Sequence, residues 1–99
     1  MTTAVTFTTG PGPDGGAVLA ASGEIDMSNA DAFAAALTEA REGADGPLVV
    51  DLTRVEYLDS AGLAALFPHI EHVSLLASPL LAPLLRIAGL ADLTTIQIT

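Results

Sequence analysis

Leu48-Val49-Val50-Asp51-Leu52-Thr53-Arg54-Val55-Glu56-Tyr57-Leu58-Asp59-Ser60-Ala61-Gly62-Leu63-Ala64-Ala65-Leu66-Phe67 is the stretch whose reading decides the fold. It opens on Leu48 to Leu52, apolar except for Asp51. Such a short run, with two valines, has the pattern of a central strand buried on both faces. It closes on Gly62-Leu63-Ala64-Ala65-Leu66, in which good helix formers dominate. Asp59 and Ser60 lie between, where a strand-to-helix loop becomes a helix. Backbone N–H groups lack partners at such a point, and an oxygen or an anion is favoured there.

Upstream, Val5 and Phe7 alternate with Thr6 and Thr8, which predicts a half-buried first strand. Gly10-Pro11-Gly12-Pro13-Asp14-Gly15-Gly16 is a turn by composition, and Ala17 to Ser22 a second strand, so the two form a hairpin. The glycine-rich turn is no phosphate loop, because it lacks the Gly-Lys-Ser/Thr ending and a strand follows it. Ser28 reads as a helix N-cap, with Asp31 three residues on as an imperfect capping box. Ala30, Phe33, Ala34, Leu37 and Ala40 then make one apolar helix face, and Gly43, Gly46 and Pro47 end that helix.

Downstream, Pro68 disfavours helical geometry at Phe67, so the helix after Ser60 should run about two turns. His69 and His72 fall in the loop that follows. Val73 to Ala77 is a further strand. Ser78 and Pro79 read as the cap and first residue of another helix, which ends at Gly89. In that helix Pro83 should cost a backbone hydrogen bond or tighten the first turn. Leu93, Ile96 and Ile98 mark a last strand. The expected fold is α/β in the order β-β-α-β-α-β-α-β: a small, mostly parallel sheet flanked by helices, with the first hairpin adding an antiparallel member. Residues 1–99 read as one domain.

The 12 acidic residues outweigh 3 arginines, with no lysine, for a net charge of −9. Such a chain is repelled by nucleic acid and anionic lipid and steers toward basic partner surfaces, although charge of this sign also simply keeps a small apolar-rich domain in solution. With no cysteine, thiol chemistry and thiolate metal sites are excluded. The N-terminus has no signal-peptide pattern, so a cytoplasmic location is expected. No cofactor or metal is expected either, because two histidines without further ligands are poor metal sites. Catalysis by Ser60 is not expected. Leu58 stands where a hydrolase elbow needs glycine, and no base held by a third group is visible.

Three motifs, in order, resemble one family. They are Gly23-Glu24-Ile25-Asp26; the strand Val49-Val50-Asp51-Leu52 followed by Leu58-Asp59-Ser60-Ala61-Gly62-Leu63; and Ser78-Pro79 followed by Gly89-Leu90. Together they resemble the STAS domain, named for sulfate transporters and anti-sigma-factor antagonists. The resemblance implies partner switching, in which an antagonist binds a kinase-type anti-sigma factor until its serine is phosphorylated and a phosphatase resets it. By motif match Ser60 would be the phosphoacceptor, and Asp26, Asp59, Ser60, Ala61 and Gly62 would form the partner-binding surface. Ala61 stands where relatives often carry a second hydroxyl. The helix after Ser60 is also shorter than is usual in the family, and that helix helps form the kinase-docking surface.

Each of these residues also has a structural reading. Ser60 can satisfy helix donors with its hydroxyl, Asp59 can be an N-cap, Asp26 can start the loop before Ser28, and Asp51 can be a strand-end residue bonded to a neighbouring loop. The same resemblance leaves a second function open: an accessory subunit of a lipid-transport ABC ATPase, with no phosphorylation cycle. Finally, Leu80, Leu81, Leu84, Leu85 and Ile87 go nearly round the last helix. Leu84 and Ile87 are expected to face the sheet, with Leu80 or Leu81 joining them. Leu80, Leu81 and Leu85 then either make a self-association surface or fill a gap left by the short helix after Ser60.

Overall fold

The computed structural model describes residues 4–12 and 15–99. Pro13 and Asp14, at the tip of the expected glycine-rich turn, lie outside them. The elements follow the expected order: β1 Thr6–Pro11, β2 Ala17–Ile25, α1 Ala30–Glu42, β3 Leu48–Leu58, α2 Ser60–Leu66, β4 Val73–Ala77, α3 Ala82–Ile87 and β5 Ile96–Ile98. Two short 3-10 helices, Phe67–His72 and Leu90–Asp92, follow α2 and α3. The five strands lie in sequence order, β1 antiparallel to β2 and the rest parallel.

That order decides where the helices go. Each crossover steps one strand in the same direction, and right-handed crossovers of that kind put every helix on the same face of the sheet. Burial agrees. Leu19, Ala21 and Ile25 of β2, Leu48, Val50 and Leu52 of β3, and Val73, Leu75 and Ala77 of β4 are buried in one core with Phe33, Leu37, Leu63, Leu66, Leu81, Leu85 and Leu90 from the helical side. The alternate residues, Val18, Ala20, Val49, Asp51, Ser74 and Leu76, are only half-buried. The central strand is therefore covered on one face, not both. Phe7 lies on the helical face and stacks on Phe33 with ring centroids 5.7 Å apart.

The central strand is also longer than its apolar run. It continues to Leu58 because it carries two extra residues relative to β2: the pairing jumps from Ala20↔Asp51 to Ser22↔Arg54, and from Gly23↔Val55 to Glu24↔Tyr57. Each bulge shifts the inward phase, so Leu52, Val55 and Leu58 point inward at intervals of three. Asp51 is thus a mid-strand residue. Its Oδ1 accepts the Thr53 N–H at 2.9 Å and the Thr53 hydroxyl at 2.6 Å, which takes up a donor that the first bulge removes from the ladder.

Several expected helix starts move. Ser28 is not a cap: α1 begins at Ala30, with Asn29 before it, and the Ser28 N–H and hydroxyl both donate to Asp26 Oδ1. Phe67 is helical (φ −55°, ψ −42°) despite the following Pro68, and the chain runs on as a 3-10 helix rather than a loop. Pro79 begins a turn closed by the Leu81 N–H on the Ser78 carbonyl, and α3 starts only at Ala82. Pro83 then falls in the first turn, where no N–H partner is forfeited. Leu93 lies outside the last strand.

The later start sets a different phase for α3. Leu81 and Leu85 are buried, while Leu80 and Ile87 are exposed and Leu84 is half-buried. The expected inward position of Ile87 is corrected accordingly, and of the two readings open for Leu81 and Leu85 the structure takes the one in which they fill the core. Leu81 and Leu85 are core residues and belong to no self-association surface.

His69 is buried, not a solvated loop residue. Arg41 Nη1 donates to its Nδ1 at 2.9 Å, so in the neutral ring Nε2 carries the proton. Burial, with the nearby Arg41 and His72, holds His69 below its ordinary value of 6.5. A depressed histidine stabilises the fold above its unfolded value and loses that contribution as pH falls below it. Wild type is therefore expected to lose stability between pH 7 and pH 5 more steeply than His69→Gln, measured by urea unfolding across that range. Parallel profiles for the two proteins would contradict this.

Candidate functional site

Strands β2 and β3 end level with each other. Ile25 pairs with Leu58, and the Asp59 N–H donates to the Ile25 carbonyl at 3.2 Å. This brings Asp26 and the Asp59-Ser60 pair together at the C-terminal ends of adjacent parallel strands, the usual place for sites in open α/β sheets. Gly23, two residues before the end of β2, serves a different approach: its φ is +100°, and a Cβ there would strike the Ala4 carbonyl, so it lets residues 4–5 pass close against β2.

Asp59 is the N-cap of α2. Its Oδ1 accepts the Ala61 N–H at 2.9 Å and the Gly62 N–H at 3.1 Å. Ser60 is the first residue of the helix and is exposed. The donors expected to welcome an anion are therefore already shared with a carboxylate, so a phosphate on Ser60 would meet fixed negative charge. Asp59→Ala is expected to lower stability by about 1 kcal/mol, read from the urea midpoint. An unchanged midpoint would contradict the capping role.

Gly62 is buried, and a Cβ on it would lie 2.9 Å from Ile25 Cγ2 and collide with the Leu58 side chain. It allows the close packing of α2 on the strand ends. Ala61 is half-buried beside it.

On the other side of the site, Asp26 is fixed by the loop it belongs to. The Ser28 hydroxyl, and then the Ser28 N–H, hold its carboxyl below the ordinary carboxylate value. Asn29, not singled out in the sequence, fastens this loop: its Oδ1 accepts the Asp26 N–H at 2.9 Å and its Nδ2 donates to the Glu24 carbonyl at 2.8 Å. Two further side chains, large and exposed, were not singled out in the sequence. Met27 is 79% exposed and Tyr57 49% exposed, both adjoining the strand ends that carry the site. The signal for Met27 was a large apolar side chain set between Asp26 and Ser28. The bulges hid Tyr57.

The surroundings of Ser60 are those of a surface. Two concavities among the described residues, of about 860 and 400 Å³, lie toward the other end of the sheet, and Asp26, Asp59 and Ser60 line neither. His69 is occupied by Arg41 beyond the far end of α2, roughly 15 Å along the helical path from Ser60. Among the described residues no group of three or more His, Cys, Asp or Glu is placed to hold a metal ion, and no helix is long and apolar enough to cross a membrane.

Comparison with known proteins gives a consistent picture. The family model described as "Mlab, STAS domain" matches residues 11–96. No curated protein matches significantly. Among solved structures, an anti-sigma factor antagonist from Mycobacterium paratuberculosis is similar with a TM-score of 0.86 and 29% identity, over 95% of this chain and 86% of that one. The anti-sigma factor antagonist SpoIIAA in its unphosphorylated form aligns with a TM-score of 0.72 at 16% identity, over 95% and 88% of the two chains. An antisigma-factor antagonist STAS domain from Rhodobacter sphaeroides aligns at 0.53 and 16% identity, over 96% and 85%. The last two, at that identity, speak to the fold alone.

Proposed function

The chain belongs to the STAS domain family, and from that premise we propose that it is an anti-sigma-factor antagonist, a binding module switched by phosphorylation of Ser60. The observation that carries this reading is the exposed Ser60 at the start of a helix capped by Asp59, at the strand ends that also carry Asp26. The similarity to the mycobacterial antagonist over nearly the whole chain supports the choice of partner class.

In this reading the unphosphorylated chain binds a kinase-type anti-sigma factor. The contact is made by the exposed Ser60, the adjoining Asp26, Asp59 and Ala61, and the apolar Met27 and Tyr57, while Gly62 holds the helix in place from beneath. The net charge of −9 steers the chain toward a basic face on that partner. Transfer of the ATP γ-phosphoryl group to Ser60 Oγ releases ADP and the hydroxyl proton, and the new dianion ends the complex. A phosphatase restores the hydroxyl with water, releasing inorganic phosphate.

The test is intact-mass measurement and peptide mapping after incubation with a kinase-type anti-sigma factor and ATP. One phosphate on Ser60 is expected, with Ser60→Ala folded and unmodified. A phosphate on Ser28 or Ser78 with Ser60 empty would overturn the assignment. A chain never modified by such kinases would point instead to an accessory subunit without a phosphorylation cycle.

A further inference from the structure

We propose that the outward side of α3 is a self-association surface that joins two copies of this chain. The segment entering and forming α3 has two sides. Leu81, Ala82 and Leu85 are buried in the core. Leu80, Pro83 and Ile87, spaced i, i+3 and i+7, fall on the opposite side of the helical path and are exposed. Ile87 is 86% exposed and Leu80 66%. Leu93, in the connection after Gly89, adds another side chain that is 52% exposed.

Charge selects the occupant. Eleven of the twelve acidic residues precede Val73; from Val73 onward only Arg86 and Asp92 are charged. Two copies of a −9 chain repel each other, and that repulsion is least where contact is made through this segment, whose charged side chains sum to zero. A two-fold arrangement brings the same patch of each copy together, so residue i meets j and j meets i. Arg86 and Asp92, both exposed, adjoin Ile87 and Leu93 in the sequence, and in the proposed two-fold contact each meets its counter-charge across the axis. A strongly basic partner finds no attraction at this neutral patch. Stable interfaces bury about 1,000 Å² or more in total, and four exposed apolar side chains from each copy reach only the lower end of that range. The dimer is accordingly weak and reversible.

The experiment is sedimentation equilibrium of the full chain at near-physiological salt, at concentrations up to the order of 1 mM. Wild type is expected to shift from monomer to dimer as concentration rises. Ile87→Glu and Leu80→Glu should each weaken dimerisation at least about tenfold, equivalent to roughly 1.4 kcal/mol, with melting temperatures unchanged. Arg86→Asp should weaken it as well, and Arg86→Asp with Asp92→Arg should restore it. A wild type that stays monomeric throughout overturns the proposal, as does an Ile87→Glu chain that folds and dimerises like wild type. If Ile87→Glu melts early, Leu80→Glu decides by the same criterion.

Discussion

Replacing Ser60 with Asp, or phosphorylating it, is expected to weaken binding to the anti-sigma factor by about a hundredfold while leaving the melting temperature almost unmoved. Ser60 is exposed at the first position of α2, so the folded chain alone accommodates the added charge in water. In the complex that charge must be stripped of water beside two carboxylates that cannot turn away. Asp59 is held by the Ala61 and Gly62 N–H groups, and Asp26 by Ser28. A phosphoserine brings about −1.5 to −2 charges at neutral pH. A penalty of roughly 3 kcal/mol lies well within the cost of burying an unpaired charge and corresponds to that hundredfold loss. Calorimetric titration of the partner, alongside thermal melts of the free chain, checks both halves. A large drop in melting temperature would mean that the charge acts on the fold rather than on the contact.

Leu85→Ala should lower the unfolding free energy by about 2–5 kcal/mol, a large share of the stability of a domain this size. Leu85 is fully buried and packs in the single core with Leu81 and Leu90. Truncating it leaves a cavity under a helix of only six residues, beside the buried Leu81 and Ala82. Ile87→Ala, two residues away but outward, should change stability by no more than about 0.5 kcal/mol. Urea unfolding of the pair measures the phase of α3. Equal effects would contradict the division between its two sides.

That phase shows where the sequence was hard to read. Leucines on nearly every side of Leu80–Ile87 leave no single stripe to fix the helix rotation, and Ser78-Pro79 marks a helix start three residues too early. The turn chemistry of Ser78 to Leu81 settled the matter, and it depends on a backbone bond that no periodicity encodes. The central strand misled for a related reason. Its two bulges break the alternation after Leu52, so Thr53 to Leu58 look like loop although Arg54, Val55, Tyr57 and Leu58 pair with β2. The open face of the sheet was hidden in the same run, because Val49 is as apolar as Val50 and only the strand order reveals which one is uncovered.

What was legible rested on local chemistry. Element order followed from turn residues and short apolar runs. The Asp59 cap followed from an acid placed just before a helix run, and the α1 face from Phe33 and Leu37 at i and i+4. The pairing of Asp26 with Asp59 and Ser60 came from the family resemblance, since residues on two different strands meet only through the parallel register. The roles of Asn29 and of the Arg41–His69 pair depend on contacts between separate elements and carried no sequence signal.

The central claim is antagonism controlled at Ser60, and release of sigma factor tests it most directly. The measurement is the fraction of sigma factor freed from a preformed complex with the anti-sigma factor, on adding this chain before and after kinase-catalysed modification of Ser60. The account predicts that the unmodified chain displaces the sigma factor and the phosphorylated chain does not. Equal release by both forms, or none by either, would contradict it.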